Sequence, residues 1–484
     1  LIGSNIVRDR VAVAFITLSV AATVVGGGAV AVSYNQRGAS SGTAGATTDN
    51  GTATDQPATT DTATPGAAGT GTAGNSGTGG SSTTTSGGGS GSTSTRGLST
   101  SQADSGVTGD KITVGGIFDE TGAVDSTVER DTVRAYFAKI NAQGGVNGRK
   151  LELIDCDSRY DSTAATQCAN QMISNKVLSI VGWTAPKGEN EQVQRLAHAG
   201  IPIIGGLGTP EEFNSPLSFP VSVPFTRYGQ GIAERASELG IKHPAIVVIN
   251  DVPWVATVLQ SLLDALHAKG IKETHVDKAS ATQGSYDQDV LQLRHQNDGN
   301  GCASSDPTKD CPDGLIAALD PFSYSKLFAS MDGSNWHTQI IGGGMDKGTS
   351  QHDYADQVEN ANSLVPFISP YDNTNNPTVA DYLSTVNKYY PGKQYKALDV
   401  YTQHSWTAAM IFVEAVKRAG KNINRATLVD ALNSIKNFDT GWSKPISYAP
   451  GNHDPNHCFM WTKHDGKTYD AGGSWHTISD WKCF

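Results

Sequence analysis

From Gly106 onward, short apolar runs rich in β-branched residues alternate with stretches whose apolar positions recur every three or four residues. "KITVGGIF", "KLELIDCD", "VLSIVGW" and "IPIIGG" read as strands. Between them "VERDTVRAYFAKINAQ", with Val133, Phe137 and Ile140 on one face, "STAATQCANQMISN" and "NEQVQRLAHAG" read as helices. Strand–helix alternation with short connections predicts an α/β fold, a mostly parallel sheet with helices on both faces. The alternation then restarts at "TRYGQGIAERASELG" and runs through "AIVVIND", "VATVLQSLLDALHAKG" and "GLIAALD" to "TQIIGGG". Two such blocks, each the size of an ordinary domain, predict two Rossmann-like lobes. A ligand would sit between them, at the carboxyl ends of the strands.

The first hundred residues have a different character. Residues 1–10 carry Arg8 and Arg10 and form a short cytoplasmic N-terminus ahead of residues 11–34, where "VAVAFITLSVAATVVGGGAVAV" holds no charge. That run is long enough to cross a bilayer core of about 30 Å as a helix, and its flanking arginines predict an N-in orientation. A cleaved signal segment with a site at Ala29-Val30-Ala31 is the other reading, although an h-region is usually only about 7–15 residues. Residues 35–105 are a Gly/Ser/Thr/Ala tract. Such a composition buries too little apolar surface to offset its ordering entropy, which predicts a disordered linker. The folded part is therefore expected outside the cell, anchored to the membrane, or secreted if the segment is cleaved.

A net charge of -11 and a pI near 5.5, without basic clusters, exclude nucleic acid as a partner. Cys156, Cys168, Cys302, Cys311, Cys458 and Cys483 all follow the linker. An even number in an exported chain predicts disulfides. Of the pairings possible, the adjacent one (Cys156–Cys168, Cys302–Cys311, Cys458–Cys483) closes the shortest loops. None belongs to a CxxC, which disfavours redox or zinc chemistry.

"INAQGGVNGRKLEL" tests for a phosphate site. A phosphate loop follows a strand and opens a helix; here Gly144 and Gly145 follow a helix and Gly148 precedes a strand. The glycines read as a helix C-cap and a tight turn. "NHDPNHC" places His453 and His457 four apart, but Pro455 makes the segment a turn rather than a helix face, so no metal site is expected. No nucleophile elbow, HExxH or Walker phrase is present, so neither an enzyme nor a cofactor is expected.

The stretch from "ITVGGIFDETGAVDS" through "INAQGGVNGRKLELIDCD" resembles the start of type I periplasmic binding proteins, in their Leu/Ile/Val-binding branch of ABC-importer substrate-binding proteins. The similarity continues through "GIPIIGG", "AIVVINDVPW" and "VEAVKRAGKNINRATLVDALNSIKNFDTG". It implies two lobes joined by a three-crossing hinge, residues 106–225 with 369–435 and residues 226–368 with 436–484. It also implies a monomeric folded part that passes a small molecule to an importer permease, the ligand classes being amino acids, including branched-chain ones, and related amides or carboxylates. In the first lobe the family's contact loops fall on Thr121 and Gly122, on Trp183 and Thr184, and on Leu207, Gly208 and Thr209. In the second they fall on Trp254, which stands where the family has tyrosine, and on Asp320 or Asp346 as a carboxylate for an α-ammonium. Tyr401 lies near the hinge. Asp320 and Asp346 read equally as turn or N-cap residues, and Trp183 and Trp254 as packing residues. A ligand-sensing domain working through a separate signalling partner is the alternative function for the same fold.

Overall fold

The computed structural model describes residues 97–294, 311–348, 355–359, 361–392, 399–467 and 473–484. The proposed membrane segment, nearly all of the linker, and Cys302 lie outside them. Among the described residues no helix is long and apolar enough to cross a membrane.

The first block folds as β1 (Lys111–Phe118), α1 (Thr127–Ala142), β2 (Lys150–Asp157), α2 (Ser162–Ser174), β3 (Ile180–Thr184) and α3 (Glu189–His198). It continues with β4 (Ile203–Ile204), α4 (Pro210–Asn214) and β5 (Ser218–Phe219). The strands form one sheet in the order β2-β1-β3-β4-β5, parallel throughout. The second block comprises α5 (Phe225–Glu238), β6 (Ala245–Ile249), α6 (Val255–Ala268), β7 (His275–Ala279) and α7 (Asp287–Leu293). Then come β8 (Leu315–Ala318), α8 (Pro321–Gly333), β9 (Ile340–Gly343), α9 (Ala355–Val358) and β10 (Ala361–Val365). Helices α10 (Pro377–Tyr389), α11 (Val400–Ala419) and α12 (Arg425–Asn433) precede β11 (Cys458–His464), β12 (Trp475–Thr477) and β13 (Lys482–Cys483).

The second sheet runs β12-β11-β10-β9-β8-β6-β7 and is parallel from β7 to β10. β11 and β12 add antiparallel strands, and β13 pairs with β11. Central parallel strand β6 is apolar on both faces, as burial on both sides demands: Ala245–Ile249 is buried at every position. Helix α11 returns to the first sheet, where Phe412, Val413 and Val416 share a core with Val114, Val181 and Phe137. The chain thus passes between the sheets three times, between Phe219 and Phe225, between Val365 and Pro377, and between Asn433 and Cys458.

Local chemistry matches the sequence pattern at several turns. Gly144, Gly145 and Gly148 all have positive φ, and the Gly145 amide donates to Ile140 O at the end of α1. A Cβ on Gly145 would lie 2.0 Å from Arg149 O, so no other residue fits this turn. Helices α2, α10, α11 and α12 are capped by the side chains of Asp161, Asn376, Asp399 and Asn424. The disulfides Cys156–Cys168 and Cys458–Cys483 form as expected, and no described cysteine is a free thiol. Their loops of 12 and 25 residues correspond to about 3 kcal/mol each by the chain-entropy account.

The end of the linker tract is not loose. Ser105 is buried, Thr100 O accepts from Asn424 Nδ2 and Gln102 Nε2 donates to Lys421 O. Each of these partners lies at the edge of the first sheet where its strands begin.

Candidate functional site

Strands β3, β6, β8 and β9 end at Thr184, Ile249, Ala318 and Gly343, and all four residues line one cavity of about 130 Å³. The cavity therefore lies at the carboxyl edges of both sheets. The first sheet supplies Ser126 and Glu129 at the start of α1, Tyr160 after β2 and Leu207 after β4. The second supplies one face of α5 through Phe225, Gly229 and Ile232, and one face of α6 through Val255, Val258 and Leu262. A Cβ on Gly229 would meet the Leu262 backbone at 2.7 Å, so glycine sets how closely α5 and α6 approach.

Buried carboxyls hold the loops of the first sheet in place. Asp119 Oδ1 accepts from Ser158 Oγ and from the Tyr160 amide, both at 2.6 Å. That anchors Arg159 and Tyr160 in left-handed conformations (φ 55° and 53°) that bulky residues seldom adopt, and it aims Tyr160 at the cavity. Burial pushes the Asp119 pKa up to about 6. Beneath the Leu207 loop, Glu189 accepts from the Leu207 amide at 2.8 Å, and Glu212 accepts from the Gly208 and Thr209 amides at 3.0 and 2.8 Å. The two carboxyls are fully buried against each other, and burial followed by the Glu212 charge raises Glu189 well above its ordinary value. They share a proton, because two adjacent buried carboxylates cannot both ionise.

At the polar end of the cavity, Lys347 Nζ lies 2.6 Å from Asp399 Oδ2 and 3.8 Å from Glu129 Oε1. Burial disfavours the Lys347 cation, but the Asp399 and Glu129 charges outweigh it and hold its pKa above the ordinary value. Burial raises Glu129 to about 7, opposed by Lys347, and its Oε2 has no hydrogen-bond partner. Further hydrogen bonds across the cleft include Trp254 Nε1 donating to Pro186 O at 2.8 Å and Tyr160 Oη donating to Asp251 Oδ1 at 3.1 Å.

Of the residues predicted from sequence, Thr184, Leu207, Trp254, Asp320 and Tyr401 line the cavity. Thr121, Gly122, Trp183, Gly208, Thr209 and Asp346 do not. The Thr121 hydroxyl is given to Asp157 Oδ2, and the Gly208 amide and Thr209 hydroxyl to Glu212. Gly122 packs against the Arg159 backbone, and Trp183 lies in the core formed with Ile117, Met172 and Leu196. Asp320 is the N-cap of α8, accepting from the Phe322 and Ser323 amides. Burial and then the Asp399 charge raise Asp346 to about 7. His453 bonds to Ser218 O and Asn433 Oδ1 and does not lie in a helix.

Sequence reasoning missed Ser126, Glu129, Tyr160 and the faces of α5 and α6. One signal was available. "VATVLQSLLDALHA" carries more apolar positions than a single core-facing stripe needs, and the surplus face turns to the cavity.

Residues 111–468 match the family model described as periplasmic binding protein. No curated protein sequence matches the chain. Similar solved structures include a fatty acid ABC transporter substrate-binding protein from Thermomonospora curvata, at TM-score 0.66 and 18% identity over 78% of this chain and 94% of that one. Another is an ABC transporter solute-binding protein from R. palustris in complex with benzoate, at 0.63 and 14% over 76% and 96%. A third is the branched-chain amino acid transporter substrate-binding protein LivJ from Streptococcus pneumoniae in complex with isoleucine, at 0.60 and 16% over 77% and 100%. With two sheets, three crossings and a family match over most of its length, the chain belongs to the periplasmic binding proteins of type I fold.

Proposed function

We propose that the protein captures a small solute between its lobes and delivers it to the permease of an ABC importer. The observation that carries this is the cavity enclosed between the carboxyl edges of two sheets that the chain crosses three times. Residues 106–225 with 369–435 form one lobe, and residues 226–368 with 436–484 form the other. Three crossings restrict their relative motion to a hinge, and closure over the solute presents a recognisable form to the permease. Residues 11–34 serve as anchor and residues 35–105 as tether, keeping a monomeric folded part at the outer face of the membrane.

The solute contacts fall to Thr184, Leu207, Trp254 and Tyr401, with Glu129 and Tyr160 added by the cavity. Structural neighbours are named for a fatty acid transporter or hold benzoate or isoleucine, so the solute class spans amino acids, amides and simple carboxylic acids. A thermal-shift screen of the full chain against those classes tests the reading. A solute at about a hundred times its Kd adds about 2.7 kcal/mol of stability. If no class raises the melting temperature, the reading fails.

A further inference from the structure

We propose that the solute is an aliphatic carboxylic acid whose tail lies in the slot between α5, α6 and the end of β8, rather than a zwitterionic amino acid. The proposal rests on the solute-binding reading and deepens it. On α5 the slot takes Phe225, Gly229 and Ile232, and on α6 Val255, Val258 and Leu262, positions that stack on one face of each helix. Seven residues of helix span about 10 Å, so the slot is long as well as apolar.

Among the described residues its charged lining residue on this side is Asp320, whose Oδ1 accepts from the Phe322 and Ser323 amides and whose Oδ2 accepts from Ser323 Oγ. Committed to its own helix start, that carboxylate is a poor partner for an ammonium. Trp254 Nε1 is likewise engaged, with Pro186 O. An unpartnered buried polar atom lies at the other end. Glu129 is 3% exposed, lines the cavity and leaves Oε2 without a partner. A carboxylate head placed against Glu129 Oε2 would share one proton with it, because two adjacent buried carboxylates cannot both ionise.

Calorimetric titration of the full chain with butyrate, hexanoate, octanoate, isocaproate and leucine tests this. Affinity should rise about fourfold per added methylene along the straight-chain series. Isocaproate should bind and leucine, which shares its skeleton but carries an ammonium, should bind at least tenfold more weakly. Leucine binding tighter than isocaproate, or no dependence on chain length, overturns the proposal while leaving solute capture intact. The variants Val258→Asp and Ala318→Phe should each weaken octanoate at least tenfold while leaving butyrate within about twofold. Retained butyrate binding shows that the fold and the head-group end survive; equal losses for both acids overturn the slot. If none of these compounds binds but another solute stabilises the protein, the proposal fails and the solute-binding reading stands.

Discussion

The indole of Trp254 stacks on the Phe225 ring, 5.3 Å between centroids and 3° from parallel, while its Nε1 donates across the cleft to Pro186 O. One side chain thus packs against the start of α5 and bonds across the cleft. Trp254→Phe keeps a ring to stack and removes only the hydrogen bond. A net hydrogen bond is worth about 0.5–1.5 kcal/mol, so the solute should dissociate about threefold to tenfold faster with little change in melting temperature without solute. Stopped-flow release measures this; an unchanged rate would mean that the bond is not part of closure.

Lys347 reaches from the second lobe to Asp399, the N-cap of α11, and towards Glu129 on α1. Lys347→Met leaves both carboxyls buried without a cation. Breaking such a pair costs about 3–5 kcal/mol, measurable by urea unfolding. Adding Asp399→Asn keeps the cap and removes one stranded charge, so the double variant should recover part of the loss. A double variant less stable than the single one would contradict a direct pairing.

The Glu189–Glu212 pair makes stability depend on pH. The folded pKa of Glu189 is raised from 4.5, so the folded state keeps a proton that the unfolded chain releases above that value. Its contribution is complete below the unfolded pKa and is lost as pH rises through the folded one. Glu189→Gln remains neutral throughout. It should be less stable than the parent by about 1–3 kcal/mol near pH 5, through imperfect hydrogen bonding. That difference should shrink as pH rises above the unfolded value of 4.5, because only the parent must then keep at Glu189 a proton that the unfolded chain releases. Paired melting curves across the range test this, and a constant difference would rule out proton sharing.

Much of the fold was legible because periodicity records burial. The helix face of Val133, Phe137 and Ile140 and the buried strand Ala245–Ile249 both show their environment in residue type alone. The site was legible only in part. Leu207 and Thr184 follow strands that end at the cleft, and strand ends are visible in sequence. Thr209 was an attractive ligand hydroxyl, but nothing local reveals that Glu212, three residues on, accepts its proton. Glu129 looks like an ordinary first-turn acid of α1. Its surroundings are set by Lys347 and Asp399, more than two hundred residues away in the chain.

The hydrogen bonds from Asn424 to Thr100 and from Gln102 to Lys421 pin the start of the folded part to the edge of the first sheet where the strands begin. The cavity opens at the other edge, where they end. A force applied at residue 97 therefore enters the first sheet at the edge opposite the cavity.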